Sequence, residues 1–154
     1  MKKKFAAVFC FALVAAFTTA CKGNRNEGFV PSKVVQVEAG NVDFIGPVKA
    51  PLNTPIRTYG WAAELQAGNV TNVLVVVCDG KQVPATLKMS GSRPDVAKNF
   101  LNDNFEKTGW EGVVPASSLG IGKHKVEFYA LLSDNTFAPL HCGAFKYCEV
   151  EVIN

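Results

Sequence analysis

The stretch Val70-Thr71-Asn72-Val73-Leu74-Val75-Val76-Val77-Cys78, running into Asp79-Gly80, decides the fold class. It is dominated by β-branched residues, which pack well on a pleated surface and are stiff in a helix. We therefore read residues 70–78 as a strand. Asp-Gly accepts the positive φ values of a tight hairpin turn, so the chain should reverse at Asp79-Gly80. Val83–Met89 is extended again and reads as the partner strand. Pro84 has no N–H for a ladder, which places that partner at a sheet edge.

The pattern continues in both directions. Toward the C-terminus, Ser92–Leu101 breaks the alternation and reads as one or two helical turns. Ser92 is suited to capping, Pro94 to the first turn and Asp95 to the positive end of the helix dipole. Val96 and Phe100, four apart, share a face toward the core. Arg93 and Asp95 can pair as a staple beneath this turn. Trp110–Ala116 is extended, and Gly120 and Gly122 bracket a turn. In Lys123–Leu132, Val126, Phe128, Ala130 and Leu132 fall on one face, with Lys125, Glu127 and Tyr129 on the other. Ser133–Thr136 is a turn. Cys148–Ile153 is the last strand, with Cys148, Val150 and Val152 inward. Toward the N-terminus, Thr54–Glu64 is a strand bent at Gly60, Asn41–Ile45 alternates Val42 and Phe44, and Val34–Val37 is a short β-prone run. About seven strands at roughly ten-residue spacing, with no βαβ alternation, argue for an all-β, antiparallel β-sandwich with one short helical turn.

The N-terminus is organised differently. Met1–Lys4 is basic, and Phe5–Phe17 is an apolar run of thirteen residues. A membrane-spanning helix needs about 20 apolar residues, so this run is too short to span. Basic, apolar and then small residues are the order of a secretory signal. A buried N-terminal helix is the competing reading, but no polar face interrupts the run. Thr18-Thr19-Ala20-Cys21 resembles the lipobox of bacterial lipoproteins, with Thr18 standing where that family prefers Leu. The resemblance implies cleavage before Cys21, a diacylglycerol on its sulfur and acylation of the new amine. Each buried CH₂ contributes about 0.8 kcal/mol, and several chains hold an anchor stably in a bilayer. The alternative is ordinary cleavage after Ala20, leaving a soluble secreted protein with Cys21 as a free thiol. Lys22 after Cys21 resembles the pattern that permits outer-membrane sorting. Lys22–Lys33 is polar, with Gly, Asn and Pro, and reads as a tether. The expected organisation is a signal peptide over 1–20, an anchor, tether and first β-prone run over 21–40, and a domain over 41–154.

Composition excludes several functions. The chain of 154 residues carries a formal net charge of +3. Without Lys2, Lys3 and Lys4, basic and acidic residues balance at 13 each, so nothing steers it to nucleic acid. Two His and no dense carboxylate cluster leave little for acid–base chemistry. Ser117, Ser118 and His124 are close in sequence but lie around a glycine turn, and there is no Gly-x-Ser-x-Gly elbow. His124 reads as a surface residue at a strand start. Asn102-Asp103-Asn104 with Glu106 lacks the alternating spacing of a calcium loop. His141-Cys142 with Cys148 fits no closed zinc motif. We expect no catalytic residues, no metal and no cofactor.

The cysteines and aromatics remain. With Cys10 removed and Cys21 lipidated, Cys78, Cys142 and Cys148 are left, so at least one thiol stays unpaired within the monomer. Cys142 and Cys148 are the favoured pair. A continuous strand would separate them by about 20 Å at roughly 3.3 Å per residue, so a bridge requires a turn through Gly143-Ala144-Phe145. The alternative is that all three stay reduced or buried. Trp61, Trp110, Tyr59, Tyr129 and Phe137 can supply a glycan-stacking platform, although a sandwich Trp more often fills the core. Trp110, followed by Glu111-Gly112, and Tyr129 are the candidate ligand contacts.

The series Gly60-Trp61-Ala62, Val75-Val76-Val77 into Asp79-Gly80, Arg93-Pro94-Asp95-Val96-Ala97 with Phe100, Thr108-Gly109-Trp110, Val114-Pro115, Leu119, Gly122, His124 and Ala130 resembles a bacterial immunoglobulin-like module. The resemblance covers about residues 41 to 132, and Cys78 departs from it where the family usually has an aliphatic residue. It implies an immunoglobulin-like β-sandwich of secreted or surface proteins with no catalytic residues and no shared ligand. The leading expectation is therefore a non-catalytic interaction module at the bacterial envelope, held to the membrane, the outer more than the inner, by a lipid anchor. Its partners would be envelope proteins. Carbohydrate binding through exposed aromatics is the second expectation, and an accessory subunit of an extracellular enzyme the third.

Overall fold

The computed structural model describes residues 33–71 and 74–154. The expected signal peptide over 1–20, Cys21 and the expected tether residues 22–32 lie outside the described residues. Among the described residues no helix is long and apolar enough to cross a membrane.

The body is two β-sheets. The first, five-stranded sheet has the order β1 (Gly40–Gly46), β3 (Pro55–Glu64), β8 (Gly109–Pro115), β7 (Thr86–Met89), with β4 (Asn69–Val70) also on β3. The second, six-stranded sheet has the order β2 (Lys49–Pro51), β11 (Cys148–Ile153), β9 (Gly122–Leu131), β5 (Leu74–Cys78), β6 (Lys81–Gln82), with β10 (Phe137–Leu140) also on β9. Every pair of these strands is antiparallel except β2 with β11. The core lies between the layers. Val42, Ile56, Trp110 and Val114 from the first sheet meet Val76, Val126, Phe128, Leu140, Val150 and Val152 from the second. The inward faces of β9 and β11 are those the alternation predicts: Val126, Phe128 and Ala130, and Cys148, Val150 and Val152, are buried.

Trp110 sits at the centre of this core. It is 1% exposed and its ring stacks on Phe128 at 5.4 Å. This corrects its assignment as a ligand contact, since a ring closed between two sheets offers no face to a sugar. Its Nε1 has no hydrogen-bond partner among the described residues, so apolar packing holds it against a desolvation cost of about 1–3 kcal/mol.

The eleven strands among the described residues exceed the expected seven because the chain changes sheets within runs that look continuous in sequence. Residues 70–78 are not one strand. Val70 ends β4 on the first sheet, Thr71 donates its hydroxyl to Leu131 O at 2.7 Å, and Leu74 starts β5 on the second. Val83–Met89 also divides. The hairpin partner of β5 is Lys81–Gln82, with one further bond from Val83 N–H to Val76 O at 3.0 Å, and Thr86–Met89 pairs with β8 in the other layer. Pro84 lies between them, where the ladder has already ended. Val34–Val37 forms no strand. Val34 makes an isolated bridge to Phe137, and Val35 donates its N–H to Phe137 O at 2.8 Å. β10 is not predicted by the sequence pattern, and Pro139 within it explains why, since proline argues against a strand away from an edge.

A short helix, α1 (Pro94–Phe100), begins with Pro94 as expected, but Ser92 does not cap it. The cap position is Arg93, and Ser92 Oγ donates instead to Glu106 Oε1 at 2.7 Å. The Arg93 guanidinium pairs with Asp95, as the staple reading anticipates, and also with Asp43 of β1 at 2.6 Å. Val96, Ala97, Phe100 and Phe105 pack on Trp61 and Ala63, which covers part of the outer face of the first sheet. Cys142 and Cys148 form a disulfide with their Cα atoms 5.5 Å apart. The turn it needs is made at Gly143, which has φ +62°, and closes with a Cys142–Phe145 bridge.

Candidate functional site

The candidate site is the part of the first sheet's outer face that α1 leaves bare. On β3 the outward residues are Arg57, Tyr59, Trp61 and Ala63. The helix and the 3₁₀ turn over Asp103–Lys107 cover the last two and stop short of the first two. Register then builds two rows across four strands. Phe44, Tyr59, Glu111 and Lys88 stand directly opposite one another, and beside them run Gly46, Arg57, Val113 and Thr86.

Phe44 reaches this face through a β-bulge. The sequence alternation puts Val42 and Phe44 on the same side of their strand. In the structure the register of β1 against β3 shifts between Val42 and Phe44. An extra residue reverses the side-chain parity beyond it. Val42 is accordingly buried in the core, and Phe44 is 43% exposed on the opposite face. Asp43, the extra residue, turns to the Arg93 clasp. Phe44 and Tyr59 stack with centroids 5.2 Å apart and an interplanar angle of 13°. The Phe44 ring lies over Gly46, where a Cβ would come within 2.9 Å of its tip.

The other half of the rows is polar. Lys88 Nζ lies 2.7 Å from Glu111 Oε1. Hydrogen bonds from Lys88 and then Ser90 hold the Glu111 carboxyl below its usual range. Arg57 has no ion-pair partner among the described residues. Aromatic shelf, charged pair, Arg57 and Val113 line an open groove of about 600 Å³.

The residues singled out from sequence fare differently. Tyr59, one of the platform aromatics, is on the site. Trp61 is under the helix and Trp110 is in the core. Tyr129 lies on the other sheet, half-buried against Val75, Val77 and Phe137. Burial, the Glu127 charge and a Glu127 hydrogen bond push its phenol up to about 12. Trp110 and Tyr129 are thus not brought together. Sequence reasoning misses Phe44 as a surface residue because a bulge leaves no mark in the alternation. His124, read as a surface residue, is instead held between Asp79 and the Gly120 carbonyl. His141 is half-buried and joined to Asn41 through a backbone bridge. Comparison of the chain with models of known protein families and with curated proteins finds no match.

Proposed function

We propose that the protein is an envelope-anchored, non-catalytic immunoglobulin-like module that binds a glycan across the bare face of β1, β3, β8 and β7. The observation that carries this reading is the cross-strand row Phe44–Tyr59–Glu111–Lys88. Sugar rings offer an apolar C–H face and a rim of hydroxyls. The aromatic shelf suits the first, while Arg57, Lys88 and Glu111 supply the donors and acceptor that orient the second. A protein partner is the other outcome, but apolar interface cores are depleted in charge, and this face sets its aromatic pair directly beside a charged pair.

The immunoglobulin-like part of the reading is supported by connectivity. β1, β3, β8 and β7 follow the A-B-E-D order of such sandwiches, and β11, β9 and β5 follow G-F-C. Glu111, the carboxylate that lines the groove, is paired with Lys88, which suits it to orienting a hydroxyl rim. The export-type N-terminus and Cys21 supply location and anchor, and Lys22–Lys33 the reach.

The test is a glycan array followed by titration calorimetry on positives. Tyr59→Ala and Phe44→Ala should each weaken binding at least tenfold while leaving the circular dichroism spectrum unchanged. A flat response across the array removes the glycan reading. Binding that survives both substitutions removes the site.

A further inference from the structure

The second sheet carries a separate cluster at the Asp79-Gly80 turn. Cys78 ends β5, Asp79 opens the turn, and His124 stands near the start of the neighbouring β9. Cys78 Sγ, an Asp79 carboxylate oxygen and a His124 ring nitrogen all lie within 4.8 Å of one another. His124 Nδ1 is 2.8 Å from Asp79 Oδ2, and the Cys78 thiol donates to the same oxygen at 3.6 Å.

Two of the three groups are oriented from behind. Asp79 Oδ1 accepts the Lys125 backbone N–H at 3.1 Å, which leaves Oδ2 to face the cluster. His124 Nε2 lies 3.0 Å from the Gly120 carbonyl. A ring that donates Nε2–H to that carbonyl aims the Nδ1 lone pair at the carboxylate. Two lone pairs cannot share that gap unless a proton or a cation lies between them. A backbone carbonyl on one ring nitrogen with the other left for a metal is the usual outer-shell arrangement of a ligating histidine. Cys78 is buried, the His124 side chain is 10% exposed and that of Asp79 is 53% exposed. The donor set is therefore walled by the core on one side and open on the other, where Asp79 and His124 line a groove of about 490 Å³ with Lys123, Lys125, Glu149 and Glu151.

We propose that Cys78, Asp79 and His124 bind a zinc-type divalent cation, with a fourth position left to water. A thiolate, an imidazole and a carboxylate suit zinc rather than magnesium or calcium, which take oxygen ligands. Bonds of about 2.0–2.3 Å in a tetrahedron space ligand atoms roughly 3.3–3.8 Å apart. The sulfur–oxygen pair at 3.6 Å already fits, and the nitrogen–oxygen pair opens by a fraction of an ångström. On binding, the thiol releases its proton to solvent, as does Nδ1 where it holds one. No oxidation state changes. Two positive charges against thiolate and carboxylate leave a neutral centre, which a half-buried position tolerates.

The proposal is independent of the glycan reading. Its test is titration of Co²⁺ into the full chain in detergent, followed by displacement with Zn²⁺. The expected result is one equivalent bound, with the visible bands of a tetrahedral site and a thiolate-to-cobalt charge-transfer band, all bleached by zinc. Cys78→Ser should abolish the charge-transfer band. Asp79→Asn and His124→Ala should each weaken binding at least tenfold, and His141→Ala should leave it unchanged. Asp79 is on an exposed turn, so its variant decides the matter if Cys78→Ser fails to fold. No cobalt spectrum from the folded wild type overturns the proposal. So does a charge-transfer band that persists in Cys78→Ser, or affinity unchanged in Asp79→Asn.

Discussion

At the scale of the residue, Arg93 connects α1 to β1. Its guanidinium makes two hydrogen bonds to Asp95 at 2.9 and 2.7 Å and one to Asp43 at 2.6 Å. One end of α1 is thereby fixed to the bulge that turns Phe44 outward. The hydrogen bond from Arg93 holds the Asp95 carboxyl down to about 2, from 3.8. A carboxyl depressed by folding contributes stability above its unfolded value, and that contribution disappears as pH falls through the folded one. The clasp should therefore be intact at pH 5 and lost between about 4 and 2. Asp95 is mostly exposed, so solvent screening limits its share to at most about 1 kcal/mol. Melting temperature followed from pH 5 to pH 2 should fall less steeply in Asp95→Asn than in the wild type. Parallel curves for the two proteins would show that the pair contributes nothing to acid sensitivity.

At the scale of the element, the parts legible in sequence are those where one face meets core and the other meets solvent. β9 and β11 alternate cleanly, and both lie where the alternation puts them. The helix is legible from Pro94 and Asp95. The failures share a cause: periodicity reports which face is buried, not which sheet a strand belongs to. Residues 70–78 cross from one layer to the other without losing their β-branched character, and 83–89 do the same around Pro84. The site is half legible for a related reason. Tyr59 stands among the platform aromatics, but the residue that completes the shelf, Phe44, is aimed by a bulge, and the cover that hides Trp61 is a helix packing event. That cover can be removed. Phe105 is 2% exposed, and its ring meets Phe100 edge-on at 6.0 Å over the sheet. Phe105→Ala should cost about 3–5 kcal/mol by chemical denaturation. It should also expose Trp61, read as a red-shifted tryptophan emission before global unfolding. A loss below about 1 kcal/mol would show that α1 and its 3₁₀ turn are only loosely seated on the sheet.

At the scale of the whole molecule, the two proposed sites occupy different layers. The glycan face is the outer surface of the first sheet, and the cation cluster is a turn of the second. Between them lies the core, including the Trp110–Phe128 stack, and protein interiors are packed closely enough to transmit strain when a neighbour moves. Whether the sites communicate depends on whether either ligand shifts an element that both share. The proposed cation draws on a hairpin turn already fixed by Lys125 and on a ring already held by Gly120. Its three ligand atoms already lie within 4.8 Å of one another, so filling it calls for a local adjustment at a sheet end. The proposed glycan rests on side chains of strands that pair with each other and with none of β5, β6 and β9. No shared two-state element links them, so their free energies should add. Zinc at saturating concentration should raise the melting temperature by several degrees, because it binds the folded chain and stabilises it by mass action. The glycan dissociation constant, measured by calorimetry with and without zinc, should stay within about a factor of two, the ordinary tolerance of additivity. A tenfold change would correspond to a coupling of about 1.4 kcal/mol, and would place a switching element in the packed core between the two sheets.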